Sequence, residues 1–224
     1  MSQSIEFFES QFQRQVKTSE FELNPFERLA LAYLDGTVLD FGCGLGNLAL
    51  EAARHGCTVM AIDASATAIA RIRAAAQQEQ LVVEAIKEDL TSFQIGQDYD
   101  TIVAIGILMF FRQARALAML TDIQDRVRPG GIAIVNVLIE GTSYMEMFTP
   151  GEYYLFRREE LVERFADWAV EVARYDSFPA LADTVKCFAT VIARKPKQNI
   201  LNVPEYETMT HGEQHITDVA AAGA

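Results

Sequence analysis

The stretch Val38-Leu39-Asp40-Phe41-Gly42-Cys43-Gly44-Leu45-Gly46 decides how the rest of this chain is organised. An apolar run of strand length, Val38 to Phe41, enters a turn with glycine at every second position. A helix is then expected from Asn47 through Leu48-Ala49-Leu50-Glu51-Ala52-Ala53-Arg54. Strand, glycine-rich turn and helix in that order open a doubly wound α/β sheet, and a ligand sits on the turn. Side chains there would obstruct both the tight backbone path and the approach of the ligand. The helix that follows directs its free N–H groups and positive dipole end into the same crevice.

A glycine turn by itself serves many cofactors, so the spacing has to discriminate. The dinucleotide pattern G-x-G-x-x-G needs its third glycine at position 47, where this chain has Asn47; the observed set is Gly42, Gly44 and Gly46, preceded by Asp40. This D-x-G-x-G-x-G arrangement resembles motif I of the class I S-adenosylmethionine-dependent methyltransferases. The resemblance implies that Asp40, Phe41, Gly42 and Gly44, with Cys43 and Gly46 in the same turn, bind the methionine part of S-adenosylmethionine. A second apolar run, Cys57 to Ile62, ends at Asp63, roughly 20 residues past the glycine turn, where a doubly wound sheet places the carboxylate that holds ribose hydroxyls. Asp63, followed by Ala64, is therefore a ribose-binding candidate; capping the next helix is the competing role, for which Ser65 is also available. A third strand, Leu81 to Ile86, runs into Lys87-Glu88-Asp89-Leu90. Here the resemblance implies an adenine site at Asp89 and Leu90, with Glu88 as the alternative acid.

Composition narrows the partners. A length of 224 residues with 50% hydrophobic residues fits one α/β domain with embellishments, and the net charge of −12 argues against binding a phosphate backbone. No nucleic-acid partner is expected. Cys43, Cys57 and Cys187 are widely spaced without a C-x-x-C pair, as buried thiols in a reducing compartment would be. The beginning of the sequence shows no basic-then-apolar leader, and the apolar run Ile102 to Phe111 is too short to span a bilayer. A cytoplasmic protein with no membrane partner is the expectation. Oligomeric state is not readable, and no metal site is expected: His211 and His215 have i, i+4 spacing but no further ligands around them.

Around the motifs, residues 1–37 read as a helical cap of one or two short helices, the second from Phe26 to Leu34 with Pro25 near its first turn. Residues 38–197 read as the cofactor-binding domain, and residues 198–224, with four acids and no Lys or Arg, as a flexible tail. Tyr99 to Phe111 reads as one continuous buried strand whose end, Gly106 to Phe111, lines the crevice. The next helix presents Leu117, Leu120, Ile123 and Val127 on one face and stops at Arg128-Pro129-Gly130-Gly131 before a strand from Ile132 to Leu138. A helix near Arg158 to Phe165 precedes two alternating strands, one with Trp168, Val170 and Val172 on a face, the other with Val185, Cys187, Ala189 and Val191. The fold class is thus α/β, a doubly wound Rossmann-like sheet, mostly parallel and closed by an antiparallel C-terminal strand pair.

Leu108-Met109-Phe110-Phe111, Tyr154-Leu155-Phe156-Arg157-Arg158-Glu159-Glu160-Leu161, Asp167-Trp168, Arg174-Tyr175 and the run Cys187 to Pro196 make residues 26–197 similar to the tellurite-resistance methyltransferase family. That resemblance implies methyl transfer to a small soft nucleophile or oxyanion, with S-adenosylhomocysteine as product. The family commonly carries a His-Arg pair between its last two strands, and this chain has Ser177-Phe178-Pro179-Ala180-Leu181-Ala182-Asp183 there, so the substrate does not carry over. Displacement at a sulfonium needs alignment more than acid–base chemistry. The segment Tyr144 to Phe156 is expected to close over a small-molecule acceptor, with Tyr153, Tyr154, Arg112 and Arg157 as candidates for contacting it. Two other readings share the fold: a catalytically silent cofactor-binding protein and, more weakly, a nicotinamide oxidoreductase.

Overall fold

The computed structural model describes residues 3–197. Helices α1 (Gln3–Thr18) and α2 (Pro25–Leu31) precede β1 (Thr37–Phe41), α3 (Asn47–Arg54), β2 (Thr58–Asp63), α4 (Ala66–Glu79) and β3 (Val83–Lys87). There follow β4 (Tyr99–Ile105), α5 (Gln113–Arg126), β5 (Val127–Leu138), the short α6 (Glu160–Glu163), β6 (Ala169–Pro179) and β7 (Val185–Arg194). The strands make one seven-stranded sheet in the order β3-β2-β1-β4-β5-β7-β6. Pairings from β3 to β5 are parallel, while β7 runs antiparallel to both β5 and β6. This is the doubly wound sheet with an antiparallel ending that the sequence predicts. Strand order reverses at the β1–β4 boundary, and a crevice opens there beyond the carboxyl ends of the strands.

Alternation along each strand divides the core between the two faces. Leu39, Ile102, Ala104 and Ala133 pack with Ala116, Met119, Leu120 and Ile123 of α5, whereas Val38, Val103, Ile132 and Ile134 pack with Leu48, Ile69 and Ile72 of α3 and α4. Full burial of one such Leu, Ile or Val contributes about 1.5–3 kcal/mol, so both helical layers are fixed by the period-two pattern of the strands. Polar groups finish the helices. The Asn24 side chain accepts from the N–H groups of Phe26 and Glu27 while the Glu27 carboxylate accepts from Asn24 N, a complete capping box around Pro25. Ser65 caps α4, and Lys195 Nζ donates to the carbonyls of Gln124, Asp125 and Val127 at the end of α5.

Several local expectations change. Tyr99 to Phe111 is not one strand: β4 ends at Ile105, Gly106 turns at φ +69°, and Leu108–Phe110 forms a 3-10 turn that brings Phe110 back to the crevice. Val127 opens β5 rather than closing α5, and no separate turn intervenes before Ile132. The helix expected from Arg158 to Phe165 contracts to Glu160–Glu163. Trp168 and Val172 pack on opposite cores because the β6–β7 register shifts between Val170 and Val172; Val170, 37% exposed, lies on the edge strand. Among the described residues no helix is long and apolar enough to cross a membrane, and all three cysteines are free. Residues 198–224, with His211 and His215, lie outside the described residues.

Candidate active site

The carboxyl ends of β1, β2, β3 and β4 supply one wall of a crevice of about 690 Å³, large enough for a nucleoside-sized ligand and a small second molecule. Asp40, Gly42, Cys43 and Gly44 come from the end of β1, Asp63 and Ala64 from β2, Asp89 and Leu90 from β3, and Gly106 and Ile107 from β4. Glycine at position 42 meets two demands. Its φ of +77° is left-handed, and a Cβ there would lie 2.6 Å from Ile107 Cγ1. The close approach that Gly42 permits is therefore by the Ile107 side chain, from the turn just past β4, which seats that turn against the glycine loop.

Carboxylates dominate the electrostatics. Asp63 Oδ2 accepts from Gly44 N at 2.9 Å and Oδ1 from Ser65 N at 2.8 Å, so the glycine turn is tied to the end of β2 through this side chain. Burial nevertheless raises its pKa, against those bonds. Asp40 is only 5% exposed; burial first, then the neighbouring Glu27 and Asp63 carboxylates, push its pKa up to about 8 despite a hydrogen bond from the Ala49 amide. Burial raises Glu27 as well. Asp89 differs: its carboxylate accepts from Thr91 N and Oγ1, which lowers its pKa and leaves it an ionised acceptor at the crevice edge. Arg115 pins the β3–β4 connection by donating to the Leu90 and Phe93 carbonyls.

Helix α1 roofs the crevice. Phe8 meets Phe110 edge-on at 5.1 Å, and a Cβ on Gly44 would stand 3.3 Å from Phe12 Cζ. Glu9 fastens the helix by accepting from Ser65 Oγ and from Thr67 Oγ1 at the start of α4, and Ser4 N donates to Thr149 Oγ1 at 3.4 Å. At the mouth, Arg112 pairs with Glu152.

Of the residues expected from sequence, Asp40, Gly42, Cys43, Gly44, Asp63, Ala64, Asp89, Leu90, Gly106 and Arg112 border the crevice. Phe41 and Gly46 do not: Phe41 packs against Phe93 in the core, and Gly46 caps α3 at φ +70° beside Ile72. Tyr154 is turned away from the crevice, its hydroxyl donating to Glu160 Oε2 at 2.7 Å and accepting from Gln113 Nε2 at 3.1 Å. Tyr153 stacks on Phe148 at 4.9 Å, and Arg157 pairs with Glu163 at the surface. From the segment Tyr144 to Phe156 only Thr149 and Glu152 face the crevice; Tyr144, Met147 and Phe148 form a buried cluster with Met109 and Leu138. Ser65 does cap α4, which leaves the Asp63 carboxylate directed at the turn and the crevice. Glu27, Phe8 and Phe12 also border the crevice; the cap expected over residues 1–37 includes the two aromatics, while Glu27 was not singled out, its one sequence signal being the capping pattern at Asn24.

The donor set suits a ligand with hydroxyl donors at Asp63, an amino donor near Asp89 and positive charge near Asp40 and Glu27. Among the described residues no group of three or more His, Cys, Asp or Glu is placed to hold a metal ion. Residues 38–131 match the family model described as a methyltransferase domain. Hemagglutinin 1 of Eikenella corrodens is 30% identical over 70% of this chain and 54% of its own length. The probable S-adenosyl-L-methionine-dependent methyltransferase TehB of Haemophilus influenzae (strain 10810) is 28% identical over 70% of this chain and 57% of its own. The chain thus spans about half the length of these relatives. The crystal structure of TehB from Haemophilus influenzae superposes with a TM-score of 0.68 at 22% identity, covering 77% of this chain and 62% of that one, which establishes the shared fold.

Proposed function

We infer, from the premise that this chain carries a class I S-adenosylmethionine-dependent methyltransferase domain resembling TehB, that it binds S-adenosylmethionine and transfers its methyl group to a small-molecule acceptor. The observation that carries this reading is the convergence in one crevice of the Asp40–Gly44 turn, Asp63 and Asp89, each at the end of a different adjacent strand. Asp63 takes the ribose hydroxyls, Asp89 and the Leu90 backbone take the adenine, and Asp40 with the turn takes the methionine end. When bound, the cofactor supplies an electrophilic methyl on a sulfonium, whose departure as a neutral thioether needs no acid.

What remains for the protein is alignment and exclusion of water. Phe8, Phe12 and Phe110 close the crevice from the α1 side, so residues 3–37 act as a cap on the body formed by residues 38–197. The acceptor enters between Phe110, Thr149 and the Arg112–Glu152 pair, with Arg112 as the candidate that orients it. Tyr154 and Arg157 act instead as framework through Glu160 and Glu163. The test is transfer of a labelled methyl group to a panel of small thiols, amines and selenium and tellurium oxyanions. Label in one class identifies the acceptor chemistry. Tight S-adenosylmethionine binding with no transfer to any class favours a silent cofactor-binding protein.

A further inference from the structure

We propose that Glu27 is a specificity-determining residue that makes the crevice favour the sulfonium cofactor over its neutral thioether product, an inference that rests on the function proposed above. Glu27 occupies the third position of α2, where its Oε2 accepts from Asn24 N at 2.7 Å, and the residue also borders the crevice. A capping box needs only an acceptor at this position, and glutamine provides one as well as glutamate. In the first turn of a seven-residue helix the negative charge adds a dipole interaction and strengthens the cap bond only modestly, and neither requires the residue to border the crevice.

It also carries a cost. Glu27 acts repulsively on Asp40, which is buried at the end of β1, and Asp63 adds to the repulsion from the end of β2. Burial, carboxylates and backbone amides dominate the electrostatics of Asp40 and Asp63, while Arg28, the next residue along α2, partly offsets the burial of Glu27. Carboxylates crowded this way destabilise the empty site and become favourable when positive charge arrives. S-adenosylmethionine and S-adenosylhomocysteine share the ammonium, the carboxylate, the ribose and the adenine, and differ by one positive charge and one methyl at sulfur. Interactions with the shared groups cancel in the ratio of the two affinities, so the charge of Glu27 remains visible in it. Weak retention of the neutral product would then speed its release after transfer.

The experiment is calorimetric titration of wild type and Glu27→Gln with S-adenosylmethionine, S-adenosylhomocysteine and sinefungin, which carries an ammonium in place of the sulfonium. Circular dichroism checks that α2 is retained, as the preserved capping acceptor requires. The expected result is a loss of affinity for the two cationic ligands about fivefold greater than the loss for S-adenosylhomocysteine, whose ammonium sets the part common to all three. Equal losses for all three, or no loss for any, overturn the proposal while leaving the cofactor assignment intact. If wild type binds none of the three, the proposed function fails with it. Should the variant lose its helical signal, the wild-type protein decides through salt. Affinity for the two cations must then fall more steeply with added NaCl than affinity for S-adenosylhomocysteine, and equal slopes overturn the proposal.

Discussion

Replacing Asp40 by Asn removes a charge that the free protein holds at a loss. Asp40 is almost fully buried and repelled by Glu27 and Asp63, and its pKa stands near 8 rather than the ordinary 3.8. A group whose folded pKa is raised binds its proton more tightly in the native state, so stability is greatest below the unfolded value, falls as pH rises toward 8, and levels off above it. At about 1.4 kcal/mol per pH unit, the whole cost approaches roughly 6 kcal/mol well above pH 8, and about 2 kcal/mol of it accrues between pH 6 and pH 8. Asparagine keeps an oxygen for the Ala49 amide and cannot ionise. Urea unfolding at pH 6 and pH 9 is the assay, with the variant-minus-wild-type difference as the readout, because other titrating groups largely cancel in it. The difference should widen by about 3 kcal/mol in favour of Asp40→Asn at the higher pH. A constant difference would show that Asp40 ionises normally and that the repulsive carboxylate cluster is not a feature of the free protein.

Tyr154→Phe should cost about 1–2 kcal/mol of stability, because it leaves buried Glu160 without its phenol donor, yet leave S-adenosylmethionine affinity unchanged; a loss of affinity would return Tyr154 to the site. Glu9→Ala should free α1 from Ser65 and Thr67 and weaken cofactor binding several-fold with little change in melting temperature, measured by titration and thermal unfolding. Unaltered binding in that variant would show that α1 is packing rather than a cap.

What could be read from the sequence was what the backbone itself demands. The Val38 to Gly46 stretch specified strand, turn and helix because left-handed glycines and a buried strand leave few alternatives, and Asp63 and Asp89 followed from where the next two strands end. Glu27 was hidden because its crevice position depends on how α2 packs against α3 and β4, while its local pattern signals only a helix cap. Phe8 and Phe12 fall within the cap expected over residues 1–37, but an aromatic stripe does not say which surface it covers, and only the fold brings the two rings to the crevice. Tyr153 and Tyr154 show the opposite case: aromatic density near the crevice end of the sheet suggested contact with an acceptor, and in the structure the Tyr154 hydroxyl donates to Glu160 while the Tyr153 ring packs on Phe148. The break in the Tyr99 to Phe111 run depended on the left-handed turn at Gly106, and the split of Trp168 from Val172 on a bulge; a hydropathy pattern marks neither.

The central claim, that the crevice at the carboxyl ends of β1 to β4 is an S-adenosylmethionine site, is tested most directly by calorimetric titration of wild type and Asp63→Ala. Wild type should bind one equivalent. The variant should bind at least about tenfold more weakly, because it loses a charge-assisted hydrogen-bond acceptor for the ribose. Circular dichroism of the variant should match wild type, although the ties to Gly44 N and Ser65 N are gone. Equal affinity of the two proteins, or no binding by wild type, would contradict the account.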